Sequence, residues 1–175
     1  MPADMKELIA AAAVRLMQRD RSKRVTVKDI VEECHITRQT FYYHFEDVVD
    51  LLDWMIRRDM SEQLERCLQE NDPEKALKRF MEFALKRRQM IAGTANTGYR
   101  DALERVMLDN MRLYLSSFME RTGIRVQGVS TKTALDYHVF AIVGVLLGIR
   151  SDVDLDRTVH ELYLLLTGEA GFTRN

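Results

Sequence analysis

Between Ala3 and Asp72 the chain contains neither glycine nor proline: its two prolines are Pro2 and Pro73, and its eight glycines all lie from Gly93 onward. Within a helix Gly costs about 1 kcal/mol and Pro about 3 kcal/mol relative to Ala, so this long stretch is free of the two strongest helix breakers. No segment alternates apolar and polar residues with the period of a strand, and there is no repeat or low-complexity tract. The pattern predicts an all-α protein. Its 175 residues, 46% apolar and 30% charged, suit one domain or one domain with a small module, and exclude disordered and fibrous classes.

Cys34 and Cys67 stand far apart in helical sequence, which excludes a disulfide framework or a four-cysteine metal site and suits a reducing cytosol. The longest apolar run, Val139 to Ile149, is much shorter than the roughly 20 residues a bilayer span needs. Asp4, Lys6 and Glu7 interrupt the N-terminus before a signal-peptide core can develop. A cytoplasmic protein without membrane contact is expected. The net charge is −1, yet it is unevenly spread. Residues 1–28 hold seven bases and three acids, a balance of +4, whereas residues 46–74 hold three bases and ten acids, a balance of −7. The basic end suits phosphate while the acidic stretch suits solvent.

Helix signals follow one another along the chain. Leu8, Ala12 and Leu16, flanked by Ile9, Ala13 and Met17, give a first helix over about 3–20 one apolar stripe. After a basic loop from Arg19 to Arg24, Thr26 and Asp29 form a variant capping box for a short second helix with Val27, Ile30, Val31 and Cys34 inward. Thr37 caps a third, Arg38 to Phe45, and a fourth starts at Asp47 and reaches about Leu68. Asp72-Pro73 starts a fifth, to about Ile91, followed by a loop from Ala92 to Gly98. Further helices are expected over about 99–121, 131–149 and 155–166.

Two short helices joined by a tight turn, Val27 to Phe45, have the length and pattern of a helix-turn-helix. Ile30, Ile36 and Phe41 are the candidate core, which leaves Arg38, Gln39 and Tyr42 on the outer face of the third helix. The run Thr37-Arg38-Gln39-Thr40-Phe41-Tyr42-Tyr43-His44-Phe45, after Thr26-Val27-Lys28-Asp29-Ile30, resembles the DNA-binding signature of the TetR family of transcriptional regulators. The likeness covers about residues 8–56. Beyond it the chain agrees in helix count and length alone. The stretch from Glu46 to Trp54 is also similar to a subgroup that includes activators of dihydroxyacetone kinase operons.

The resemblance implies a three-helix DNA-binding domain over 1–46 and a helical effector-binding and dimerisation domain over 47–175. It implies a phosphate contact for Thr26 through its hydroxyl and backbone N–H, with Lys28 in the same basic segment. Arg38 and Gln39 would reach base edges, Arg38 favouring guanine as a bidentate donor. Thr37 and Thr40 would meet phosphate or a thymine methyl, and Tyr42, Tyr43 and His44 would hold the sugar-phosphate backbone. Plainer roles stand beside these: Thr26 and Thr37 as caps, one of the tyrosines partly in the core, His44 on a neighbouring carbonyl and Arg38 on phosphate alone. Three residues depart from the family pattern. His35 stands where the turn usually has Gly and must adopt a left-handed backbone or let the turn re-form. Val31 replaces a small residue and should push the second and third helices slightly apart. Glu46-Asp47-Val48 replaces a segment that commonly carries a phosphate-binding Lys, for which the Arg19–Lys28 cluster is a substitute.

In the second half, Val139, Ile142, Val143, Leu146 and Leu147, with Gly144 and Gly148, form an apolar helix whose partner carries Leu155, Val159, Leu162 and Leu166. Two copies about a two-fold axis would make a four-helix bundle through 131–149 and 155–166, so a homodimer on a near-palindromic operator is expected. Met90, Tyr99, Met107, Tyr114 and His138 are candidate contacts for a small-molecule effector, since methionines adapt to irregular cavities and Tyr or His can orient a polar ligand. The expected function is a ligand-responsive repressor in which an effector shifts the dimer between two shapes through the long fourth helix. A protein-interaction module that has lost DNA reading is the competing class, favoured by the acidic fourth helix. Catalysis has little support: the four histidines are scattered, and no nucleophile motif, metal-ligand spacing or phosphate loop occurs, so neither cofactor nor metal is expected.

Overall fold

Asp4 opens the first helix by accepting a hydrogen bond from the Lys6 amide at 3.1 Å. The computed structural model describes residues 4–20, 24–94, 100–149 and 153–170, and of residues 88–94 and 100 the backbone alone. Among the described residues there are eight helices: α1 (Met5–Arg19), α2 (Val27–Cys34), α3 (Arg38–His44), α4 (Val48–Leu68), α5 (Pro73–Thr94), α6 (Arg100–Thr122), α7 (Thr131–Gly148) and α8 (Leu155–Thr167). No strand occurs among them, so the fold is all α as the missing breakers predict. None of the helices is long and apolar enough to cross a membrane. Asp47 caps α4 by accepting from the Asp50 amide at 2.9 Å, and Asp50 in turn accepts from the Glu46 amide at 2.9 Å. The acidic start of α4 thus satisfies orphan N–H groups at the positive end of that helix.

Packing groups the chain into two units, residues 1–59 with 86–107 and residues 60–85 with 108–175. The core of the first unit joins Ile9, Ala13 and Met17 of α1, Ile30 and Val31 of α2, Phe41 of α3, Val48, Leu51, Leu52 and Met55 of α4, and Leu103 of α6. The helix-turn-helix core therefore runs past residue 46 into about two turns of α4. On α1 the centre of the buried face is Ile9, Ala13 and Met17, while Leu8 is exposed and Leu16 half-buried. The expected stripe is rotated by one residue, because two adjacent rows of α1 are apolar and the fit against α2 selects between them. Burying side chains of this size stabilises by about 1.5–3 kcal/mol each. Arg58 bridges Glu7 of α1 and Asp59, while Arg87 of α5 reaches the same Asp59 at 2.6 Å. The Arg58 guanidinium also lies 5.1 Å from the Trp54 ring centroid.

In the second unit the buried residues are Met60, Gln63, Leu64 and Cys67 of α4, Ala76, Phe80 and Met81 of α5, Asn110, Met111 and Tyr114 of α6, and most of the inner faces of α7 and α8. Val139, Ile142, Val143 and Leu146 of α7 and Val159 and Leu162 of α8 all lie inside this single-chain core. The stripe expected at a dimer contact is thus consumed within the chain, with Leu147 its exposed member. The outward face of α7 instead carries Tyr137, Phe140, Gly144, Leu147 and Gly148. A helix apolar on both sides offers no sequence signal for which side turns inward. Arg112–Asp136 at 2.7 Å ties α6 to α7, and His160–Glu74 at 3.0 Å ties α8 to α5.

Candidate nucleic-acid interface

Thr26 and Asp29 close a capping box at the start of α2: the Asp29 amide donates to Thr26 Oγ1 at 3.3 Å, and the Thr26 amide donates to Asp29 Oδ2 at 3.0 Å. The Thr26 hydroxyl donates to the same Oδ2 at 2.7 Å. Both donors assigned to a phosphate are therefore already held by Asp29 in the free chain, and a phosphate there would have to share or displace it. Thr37 caps α3, accepting from the Thr40 amide at 3.0 Å, with the two threonine hydroxyls 2.9 Å apart.

The turn between α2 and α3 rests on His35, at φ 55° and ψ 41°, the one non-glycine residue with positive φ among the described residues. Its N–H donates to the Glu32 carbonyl at 3.3 Å and the Ile36 N–H to the Val31 carbonyl at 3.0 Å. This pair of bonds is a Schellman motif with histidine in the place that glycine usually takes, and Ile36 packs against the core beside it. The left-handed conformation costs a side-chain-bearing residue about 1–2 kcal/mol, and glycine gives back part of that gain as unfolded-state entropy. His35→Gly is expected to stabilise the first unit by about 0.5–1 kcal/mol. Urea unfolding followed by the fluorescence of Trp54, the sole tryptophan, reports on this unit and will give a higher midpoint for the variant.

Past this turn, α3 separates its faces cleanly. Phe41 is fully buried, edge-on to Tyr42 with ring centroids 5.6 Å apart, and Phe45 closes the helix against Trp54 at 5.8 Å. Arg38 and Gln39 are exposed on the first turn, and Thr40 is half-buried. Tyr42 and Tyr43 are 56% and 85% exposed, so neither belongs to the core. His44 is half-buried and packs edge-on against Tyr43 at 5.0 Å. The helix thus presents two long hydrogen-bonding side chains at its N-terminal end and two phenols at the other.

The flanking cations are largely engaged. Arg15 and Arg19 of α1 hold Glu33 of α2 at 2.9 and 3.0 Å, and these hydrogen bonds, Arg15 foremost, bring the Glu33 carboxyl below its ordinary range. Lys28 is exposed and lies 3.9 Å from Glu32. Arg21 and Lys23, also part of the expected basic cluster, lie outside the described residues.

The effector candidates are scattered. Tyr99 and the side chain of Met90 lie outside the described residues. Met107, half-buried, belongs to the first unit, and Tyr114 and His138 to the second. The ring nitrogens of His138 face the backbone carbonyls of Ala134 at 2.6 Å and Leu166 at 3.4 Å, so this histidine joins α7 to α8. Tyr114 is buried beside Phe80, with ring centroids 4.7 Å apart, and burial together with a hydrogen bond to Cys67 drives its hydroxyl far above the ordinary range. Gln63 and Asn110 in the second core were not singled out from the sequence. The i, i+3, i+4, i+7 spacing of Met60, Gln63, Leu64 and Cys67 was the available signal: it places a carboxamide on an apolar face.

A three-helix unit whose second and third helices meet at so tight a turn, with apolar residues behind and polar ones exposed in front, is a helix-turn-helix domain. Residues 9–53 match the family model of bacterial regulatory proteins, tetR family. A curated relative, the HTH-type dhaKLM operon transcriptional activator DhaS of Lactococcus lactis subsp. lactis (strain IL1403), is 37% identical over 57 residues, which cover 33% of this chain and 30% of that protein. Among solved structures, a dihydroxyacetone kinase operon activator DhaS shares the fold at 20% identity and a TM-score of 0.62, covering 94% of each chain. A TetR-family transcriptional regulator of Syntrophomonas wolfei does so at 15% identity and a TM-score of 0.54, over 93% of this chain and 95% of its own.

Proposed function

We propose that the chain is a sequence-specific DNA-binding transcriptional regulator that acts as a homodimer on a near-palindromic site and answers to a small effector. The observation that carries this reading is the outer face of α3, where Arg38, Gln39, Tyr42 and Tyr43 stand exposed over a fully buried Phe41. Arg38 and Gln39 occupy the helix start, the part of a recognition helix that meets base edges, and the tyrosines flank them as phosphate donors together with Thr37, Thr40 and His44. Arg38→Ala is expected to weaken operator binding by about 1–3 kcal/mol and to relax the preference at one base pair. Selection from random duplexes followed by titration of wild type and variant measures both. Equal binding of operator and random DNA by the two proteins would remove Arg38 from base reading. Binding will also weaken with salt, at a slope set by the phosphates neutralised.

The homodimer is supported by the outward face of α7. Tyr137 and Phe140 are each 59% exposed and Leu147 52%, and a Cβ added at Gly144 or Gly148 would meet nothing within 4 Å. The smallness of these glycines therefore serves no contact among the described residues, and an apolar stripe around two small residues suits close approach of the same helix from a second copy. Leu165 of α8, 52% exposed, adds to the apolar surface of this unit. An effector that prefers one dimer shape changes DNA affinity by its differential affinity for the two shapes. A module that binds protein in place of DNA is the second reading, favoured by the acidic start of α4 and the paired cations of α1. A random-duplex selection that enriches no motif would favour it.

A further inference from the structure

Lys6, on the first turn of α1, is half-buried, and its Nζ lies 5.3 Å from the Phe45 ring centroid and 5.9 Å from that of Trp54. Phe45 closes α3 directly after Tyr43 and His44, and Glu46 and Asp47 lead from it into α4. The ammonium is therefore held on an aromatic pair beside the junction of α3 and α4, and no carboxylate pairs with it among the described residues. The cations around it are placed differently. Arg15 and Arg19 hold Glu33, Lys28 lies near Glu32, Arg57 holds Asp53, and Arg58 bridges Glu7 and Asp59. At the same junction α4 itself offers a phosphate little. Glu46 and Asp47 are exposed acids, and the amides of Glu46 and Asp50 are already taken by the carboxylates of Asp50 and Asp47. A DNA backbone held by Tyr42, Tyr43 and His44 would meet these acids with no cation of α4 to offset them.

We propose that Lys6 is a phosphate-binding residue of the DNA interface. Its ammonium, stored over Phe45 and Trp54 in the free chain, pairs with a backbone phosphate at the C-terminal end of α3 and supplies the cation that the start of α4 lacks. Cation–π attraction at a solvent-accessible site is weaker than a charge-assisted bond to phosphate, so the exchange favours the complex. A side chain already held in place also loses less freedom on binding. The inference rests on the DNA-binding reading above and adds a contact from α1 to those of α2 and α3. A phosphate contact reads no base, so its contribution is the same on every sequence and falls with salt.

The test uses the full chain and the duplex enriched from a random pool. Lys6→Met leaves an unbranched apolar stem over the two rings and removes only the charge. Its affinity at 0.1 M salt should fall by about fivefold to tenfold per bound chain, on the enriched and on random duplexes alike. The slope of log affinity against log salt should flatten by about one per bound chain. Lys6→Arg keeps the charge and should retain both affinity and slope, which a role in packing alone would not produce. An unchanged slope in Lys6→Met, a loss confined to the enriched sequence, or an equal loss in Lys6→Arg would overturn the proposal. A motif that is enriched but bound equally by Lys6→Met removes Lys6 alone. A pool that yields no motif removes the DNA reading, and Lys6 with it.

Discussion

Leu147→Glu is expected to convert the proposed homodimer to a one-chain species. The residue is 52% exposed in the single chain and lies on the same face of α7 as Phe140, Gly144 and Gly148. A carboxylate there costs the folded chain little, because it already faces water. In a paired α7 bundle the same carboxylate would meet its own two-fold mate and an apolar surround. The loss should be visible as a halved mass in analytical ultracentrifugation. Operator binding falls with it, because two linked half-site contacts become one: the expected loss is about 10²–10⁴-fold. Affinity for an isolated half-site should be nearly unchanged. If the variant remains a dimer, the pairing face lies elsewhere.

Phe41→Ala is expected to destabilise the first unit by about 3–5 kcal/mol, the usual result of emptying a fully buried aromatic site. Phe41 is 0% exposed and shares the core with Ile9, Ile30 and Leu51, while its ring touches Tyr42 and Phe45. Seven-residue α3 cannot hold itself as an isolated helix, and its position depends on this anchor. Urea unfolding read through Trp54, which packs against Phe45, should show the lowered midpoint. Far-UV circular dichroism at the same denaturant concentrations should show most of the helix outside this unit retained. A fall below about 1 kcal/mol would mean that α3 is held by other contacts.

Much of this organisation was legible along the chain. The glycine- and proline-free stretch, the threonines at 26 and 37, and Asp47 announce the helix starts, because caps act over three residues and need no distant partner. His35 was legible through the resemblance: it stands where the family's turn usually has Gly, and its φ of 55° is the left-handed backbone that this place implies. The separation of Phe41 from Arg38, Gln39 and Tyr42 follows from helical spacing alone.

What local pattern decided about this protein is where helices begin, where they end and which side chains share a face. Tertiary structure alone decided which of two apolar faces turns inward. On α1 it buried Ile9 and Ala13 in preference to Leu8, and on α7 it placed Val139 and Ile142 inside and left Phe140 and Leu147 facing outward. It also buried Gln63 of α4 and Asn110 of α6 within the second core. The physical reason is that hydrophobic burial is non-directional: a stripe specifies that it must be covered, whereas shape fit between helices distant in sequence specifies by what.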